Sequence, residues 1–79
     1  MALIDKLLEK LYRCSIHKKE METLLKRLGF LRTRGKGSHE VWKHPELSGA
    51  IILATHSKEV KRYQIKQVEL FLREGGLVP

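Results

Sequence analysis

Gly35-Lys36-Gly37-Ser38-His39 sets a hydroxyl and an imidazole directly after a lysine held between two glycines. Backbone amides in a glycine-bearing turn can face a phosphate oxygen. An imidazole, with an ordinary pKa of about 6.5, is suited to moving protons near neutral pH. On local pattern alone two readings stand: a phosphate-binding turn beside a general base, or a hairpin whose histidine is incidental.

The charge around this segment is uneven. Between Lys26 and His44 six Lys and Arg residues face Glu40 alone, and between Lys58 and Lys66 four face Glu59 alone. The formal net charge of +7 is therefore concentrated along two stretches. If these lie side by side they form a groove that attracts phosphates. Evenly spread, the same residues would be no more than a solvated basic surface.

The remaining reactive side chains are weaker candidates. His44 precedes Pro45 and reads as a turn residue, His17 as a solvated residue at a helix start. His56 stands where a strand gives way to a helix, and structural and proton-transfer roles are equally open to it. Cys14 is the only cysteine, and neither a Cys-x-x-Cys nor a close histidine pair is present to hold zinc. No metal and no small-molecule cofactor is expected. Ser38 fits phosphate contact better than nucleophilic attack, which needs a paired base and an oxyanion hole. Val41 and Trp42 fall on opposite faces of a strand, so one of them faces outward, and alternation does not say which.

Elements that would position these groups follow from hydrophobic spacing. Ile4, Leu7, Leu8 and Leu11 predict an amphipathic helix over about residues 2–13. Met21, Leu24, Leu25 and Leu28 predict a second, with His17 at the cap, Glu20 at the third helical position and Gly29 at its end. Three short strands follow around Phe30–Arg34, Ser38–His44 and Ala50–Thr55, joined by tight turns into an antiparallel meander. Ser57 is the expected stop and cap signal. A last helix from Lys61 to Glu74 buries Ile65, Val68, Phe71 and Leu72, and Gly75-Gly76 ends it. The order α-α-β-β-β-α means an α+β fold with helices on one face of a three-stranded antiparallel sheet.

Other classes drop out. Seventy-nine residues suffice for one small core and no separate cofactor domain. A charged fraction of 32% beside 42% hydrophobic residues is an ordinary globular balance. One cysteine argues against a disulfide-stapled secreted scaffold. Asp5, Lys6, Glu9 and Lys10 interrupt the first apolar stretch, so it is no signal-peptide core, and no run is long enough to span a bilayer. A soluble cytoplasmic protein with a polyanionic partner is expected.

Four segments, taken together, resemble the HicA family of toxins. They are Leu24-Leu25-Lys26-Arg27-Leu28-Gly29-Phe30, Arg34-Gly35-Lys36-Gly37-Ser38-His39, Trp42-Lys43-His44-Pro45, and Tyr63-Gln64-Ile65-Lys66-Gln67-Val68. The resemblance covers residues 20–76 and leaves the first fourteen as an additional helix ahead of a family-like core over 15–77 of a single domain. It implies a double-stranded-RNA-binding-like fold, cleavage of mRNA, His39 as the catalytic residue, and a HicB-type antitoxin covering the active face. Glu40, directly after that histidine, is an acid set against the RNA-binding charge.

RNA carries its own nucleophile in the 2′-hydroxyl, and His39 is the base chosen to remove its proton. Arg34, Lys36, Gly37, Ser38, Lys43 and Lys61 are the candidate phosphate-binding residues, with Lys36 and Lys43 placed to stabilise charge on the phosphoryl group. His56 is the candidate second acid, with His44 or a lysine as alternatives. A non-catalytic RNA-binding module of the same fold, or an interaction protein for an acidic partner, are the rival readings.

Overall fold

The computed structural model describes residues 3–34, 37–55 and 58–78. Its elements are α1 (Leu3–Tyr12), α2 (Lys18–Arg27), β1 (Leu31–Arg34), β2 (His39–Lys43), β3 (Ile51–Ala54) and α3 (Arg62–Glu74). Strands pair antiparallel in the order β1-β2-β3. The α+β order expected from the sequence is the one observed, each element ending within a residue or two of its expected limits.

All three helices stop in the same way. The residue two past the last turn donates its amide five residues back: Ser15 to Lys10, Phe30 to Leu25 and Leu77 to Leu72. The residue just before it then takes positive φ, namely Cys14 at 56°, Gly29 at 99° and Gly76 at 73°. Glycine announces the second and third stops. Cys14 gives no such signal, and tertiary packing of Leu7 and Leu11 holds α1 in place instead. At the start of α2, Glu20 accepts a hydrogen bond from the His17 amide and another from Lys10, linking α1 to the cap. The Lys10 ammonium and the His17 amide together lower the Glu20 pKa.

The cap expected at Ser57 lies outside the described residues. Lys61 occupies the N-cap position of α3, with extended backbone and no side-chain cap bond. What fixes this junction is upstream: Lys58 carbonyl accepts from the Lys18 amide, and His17 and Glu59 form a β-bridge. The segment entering α3 is thereby tied to the start of α2.

The sheet has two unlike faces. On one, Trp42, Leu53 and Ile51 are buried under the helices with Met21, Leu24, Leu25, Ile65, Val68 and Leu72. Leu11 of α1 is fully buried in the same cluster, and Arg73 of α3 sits 5.1 Å over the Tyr12 ring. The other face carries no helix, and Ile52 and Leu31 remain exposed. Trp42 is thus the inward member of its pair and Val41 the outward one.

Glu40 is inward too, which corrects its expected role. Its carboxylate is 6% exposed as a residue, accepts from the Trp42 indole N–H at 3.2 Å and from the Lys18 ammonium at 3.1 Å, and faces away from the open side. Lys18 also pairs with Glu22 at 2.9 Å. Burial by itself lowers the Lys18 pKa, but hydrogen bonds to Glu22 and Glu40 outweigh it, leaving the pKa above the ordinary 10.5. The acid therefore neutralises an interior lysine and does not oppose bound phosphate.

Removing Lys18 leaves Glu40 buried without its main partner. Lys18→Met should cost about 3–5 kcal/mol, read as a fall in Tm, and Lys18→Met combined with Glu40→Gln should recover much of the loss. Because the folded Lys18 pKa is raised, its stabilisation is complete below the unfolded value and disappears as pH climbs through the folded one. From neutral pH upward the stability gap between parent and Lys18→Met should therefore hold until strong alkali.

Gly29 has two reasons to be glycine: its φ, and a Cβ that would meet His44 Nε2 at 3.1 Å. Gly76 has only the first, with nothing within 4 Å of an added Cβ. Gly29→Ala should lower stability by about 1–3 kcal/mol and Gly76→Ala by clearly less, as thermal denaturation would show.

Candidate active site

His39 opens β2, and the alternation of that strand decides where its ring goes. His39, Val41 and Lys43 share the open face, while Glu40 and Trp42 point into the core. Register pairs His39 with Ala54 of β3 and Val41 with Ile52. The Thr55 amide donates to the Ser38 carbonyl at 2.6 Å, closing the β2–β3 pairing just beside His39. The imidazole is exposed, and no described residue hydrogen-bonds to it.

The ring lies at a cleft of about 340 Å³ that wraps the β3 edge. Its far wall is the entry to α3, contributing Lys61, Tyr63 and Gln64, and its floor is Ile52 and Ala54. Gln64 Nε2 donates to the Ile52 carbonyl at 2.7 Å, so the side chain of α3 satisfies an acceptor on the edge strand. Lys18 and Glu59 also line the cleft. Lys18 spends its charge on Glu22 and Glu40, and Glu59 lies 3.7 Å from His17 Nδ1.

The expected phosphate-binding residues are not all brought together. Lys61 shares the His39 cleft. Lys43 shares its face but stands four residues along the strand, a backbone separation of about 13 Å, and is not among the described residues that line the cleft. Gly37, with φ of 67°, and Ser38 form the exposed turn before His39. Arg34 enters as a backbone position of β1 opposite Glu40. Lys36 and His56 lie outside the described residues.

Two members of the basic stretches face carboxylates. Arg32 lies 4.0 Å from Glu40 and Lys66 pairs with Glu69. His44 is used structurally: Nε2 donates to the Leu28 carbonyl at 3.1 Å and Nδ1 accepts from the Glu46 amide at 3.1 Å, with Phe30 edge-on at 5.1 Å.

Tyr63 and Gln64 are cleft residues to which the sequence reading assigned no role. A signal for Tyr63 was present, since it lies off the buried stripe of Ile65, Val68 and Leu72 and is 64% exposed. Among the described residues, no three His, Cys, Asp or Glu side chains gather as metal ligands, and no helix is long and apolar enough to cross a membrane.

Comparison with known proteins agrees with the motifs around this cleft. No curated protein and no solved structure was found to match. A protein-family model does match, described as the HicA toxin of bacterial toxin–antitoxin systems, over residues 19–77. That span contains all three strands, α3 and His39, and it leaves α1 outside. With 19–77 of a 79-residue chain covered, the protein belongs to the HicA toxin family.

Proposed function

We propose that this toxin is an endoribonuclease that cuts mRNA in the cytoplasm with His39 as general base and no metal. The observation that carries the reading is the position of His39, exposed at a cleft that also holds the Lys61 ammonium. In the reaction, the imidazole takes the proton of a ribose 2′-hydroxyl. The oxygen attacks the adjacent phosphorus, the bond to the next nucleotide's 5′-oxygen breaks, and that oxygen leaves with a proton. One product ends in a 2′,3′-cyclic phosphate and the other in a 5′-hydroxyl. Lys61 supports charge on the phosphoryl oxygens, with Lys36 and the Gly37-Ser38 turn as further phosphate contacts. His56 is the proposed source of the leaving-group proton.

Lys43, remote from His39 along the strand, serves a different phosphate of the same RNA or the antitoxin. A HicB-type antitoxin neutralises the toxin by covering His39 and Lys61 with acidic and apolar groups. Attraction between opposite charges makes that association fast at low salt.

His39→Gln should lower the rate of RNA cleavage by roughly 100- to 10,000-fold while changing stability by less than about 0.5 kcal/mol, because the side chain is exposed. Cleavage close to the parent's would remove His39 from the mechanism. Because the base and the nucleophile come from His39 and the RNA, saturating EDTA should leave the rate unchanged. Loss in EDTA with recovery on adding Mg²⁺ or Mn²⁺ would point to a metal-dependent reaction.

A further inference from the structure

The cleft beside His39 has the wrong composition for a track of phosphates. Among the described residues that line it, Lys61 is the one cation with no carboxylate bridge, because the Lys18 ammonium is taken by Glu22 and Glu40. The large apolar side chains left exposed in the described lining are Tyr63, 64% exposed, and Ile52, 54% exposed. An aromatic ring and a branched aliphatic left in water, next to a single ammonium, match the two halves of one nucleotide.

We propose that Tyr63 and Ile52 form a subsite for one unpaired nucleobase beside His39, so that the toxin selects single-stranded RNA at the cut. The proposal rests on the ribonuclease reading above and specifies the substrate form that the same cleft takes. In a duplex the base faces are stacked away and phosphates and 2′-hydroxyls dominate the surface. An unpaired nucleotide instead offers a face to stack on an aromatic side chain, an edge to hydrogen-bond, and a phosphate. Tyr63 supplies the stacking surface, and Ile52 the apolar floor. Gln64 is oriented by its bond to the Ile52 carbonyl, which leaves its own carbonyl oxygen to accept from a base amino group. Lys61 takes the phosphate. The cleft volume of about 340 Å³ suits an occupant of this size.

The stripe running from this subsite across the open face supports the same choice. Thr33 and Val41 lie between the His39 end and Lys43, and Leu31, directly opposite Lys43, is 68% exposed. That surface meets bases more readily than a row of phosphates.

The test uses the full chain in the His39→Gln background, so that RNA is bound without being cut. A labelled unstructured RNA of about ten nucleotides, and the same strand annealed to its complement, are titrated with this protein and with versions also carrying Tyr63→Ala or Tyr63→Phe. Tyr63→Ala should weaken single-strand binding by roughly 5- to 150-fold, Tyr63→Phe should bind nearly as the His39→Gln protein does, and duplex should bind more weakly than single strand. Tyr63 is exposed, so melting curves should show the variants folded.

RNAs carrying one abasic nucleotide at successive positions separate stacking from a general structural effect. At one position the abasic RNA should lose the affinity that Tyr63→Ala loses, and Tyr63→Ala should add no further loss there. Unchanged binding by Tyr63→Ala, an equal loss at every abasic position, or tighter binding of duplex would each overturn the subsite while leaving the ribonuclease reading in place. No binding of either RNA form by the His39→Gln protein would overturn both.

Discussion

The Glu40 carboxylate, held indoors between the Lys18 ammonium and the Trp42 indole, decides which face of β2 is interior. A strand has a side-chain period of two, so a slip of one residue would exchange its faces entirely. With Glu40 and Trp42 inside, His39 must be outside. The same lysine begins α2, and the residue before it bridges to Glu59 at the approach to α3. One buried ion pair thus relates the base on β2 to the wall of the cleft on α3. An ion pair in this position contributes little net stability compared with an apolar pair, but it penalises any register that separates its members.

Charge alone would have suggested a different molecule. The chain carries +7, yet several of its cations are engaged with carboxylates on the helical side, and the open face is largely apolar. Long-range attraction for RNA comes from the total charge, which acts at a distance. Placement at His39 comes from a small number of groups in one cleft. Helix α1 belongs to the first part of this division of labour only indirectly. It lies outside the family match, and its Leu7 and Leu11 are buried in the core cluster.

Much of this was legible in the residue pattern, and the misses have physical causes. Helical stripes such as Met21, Leu24 and Leu25, and glycines at helix ends, announce themselves locally, and so did the α-α-β-β-β-α order. Alternation placed Val41 and Trp42 on opposite faces but could not choose between them. The choice depends on Lys18, 22 residues away from Glu40, a pairing that local pattern does not encode. For the same reason Glu40 looked like an acid beside the active residue when it is a core residue. Summed charge also ignores which cations already face a carboxylate, as Arg32 and Lys66 do. Lys43 and His39 were grouped by sequence proximity, although an extended strand separates residues by about 3.3 Å each. Gln64 joined the site through an edge-strand carbonyl of β3, a contact visible only once α3 is docked, and Tyr63 is carried in beside it.

The most direct test of His39 as a base acting on the 2′-hydroxyl is to cut a defined single-stranded RNA and determine the chemical ends of both fragments. The same strand is then assayed with 2′-O-methyl ribose on the 5′ side of the scissile phosphate. A 2′,3′-cyclic phosphate or its hydrolysis product, a 5′-hydroxyl partner, and no cutting of the methylated strand are the predicted results. A 5′-phosphate on the downstream fragment, or efficient cutting of the 2′-O-methyl strand, would mean that water is the nucleophile and contradict the mechanism.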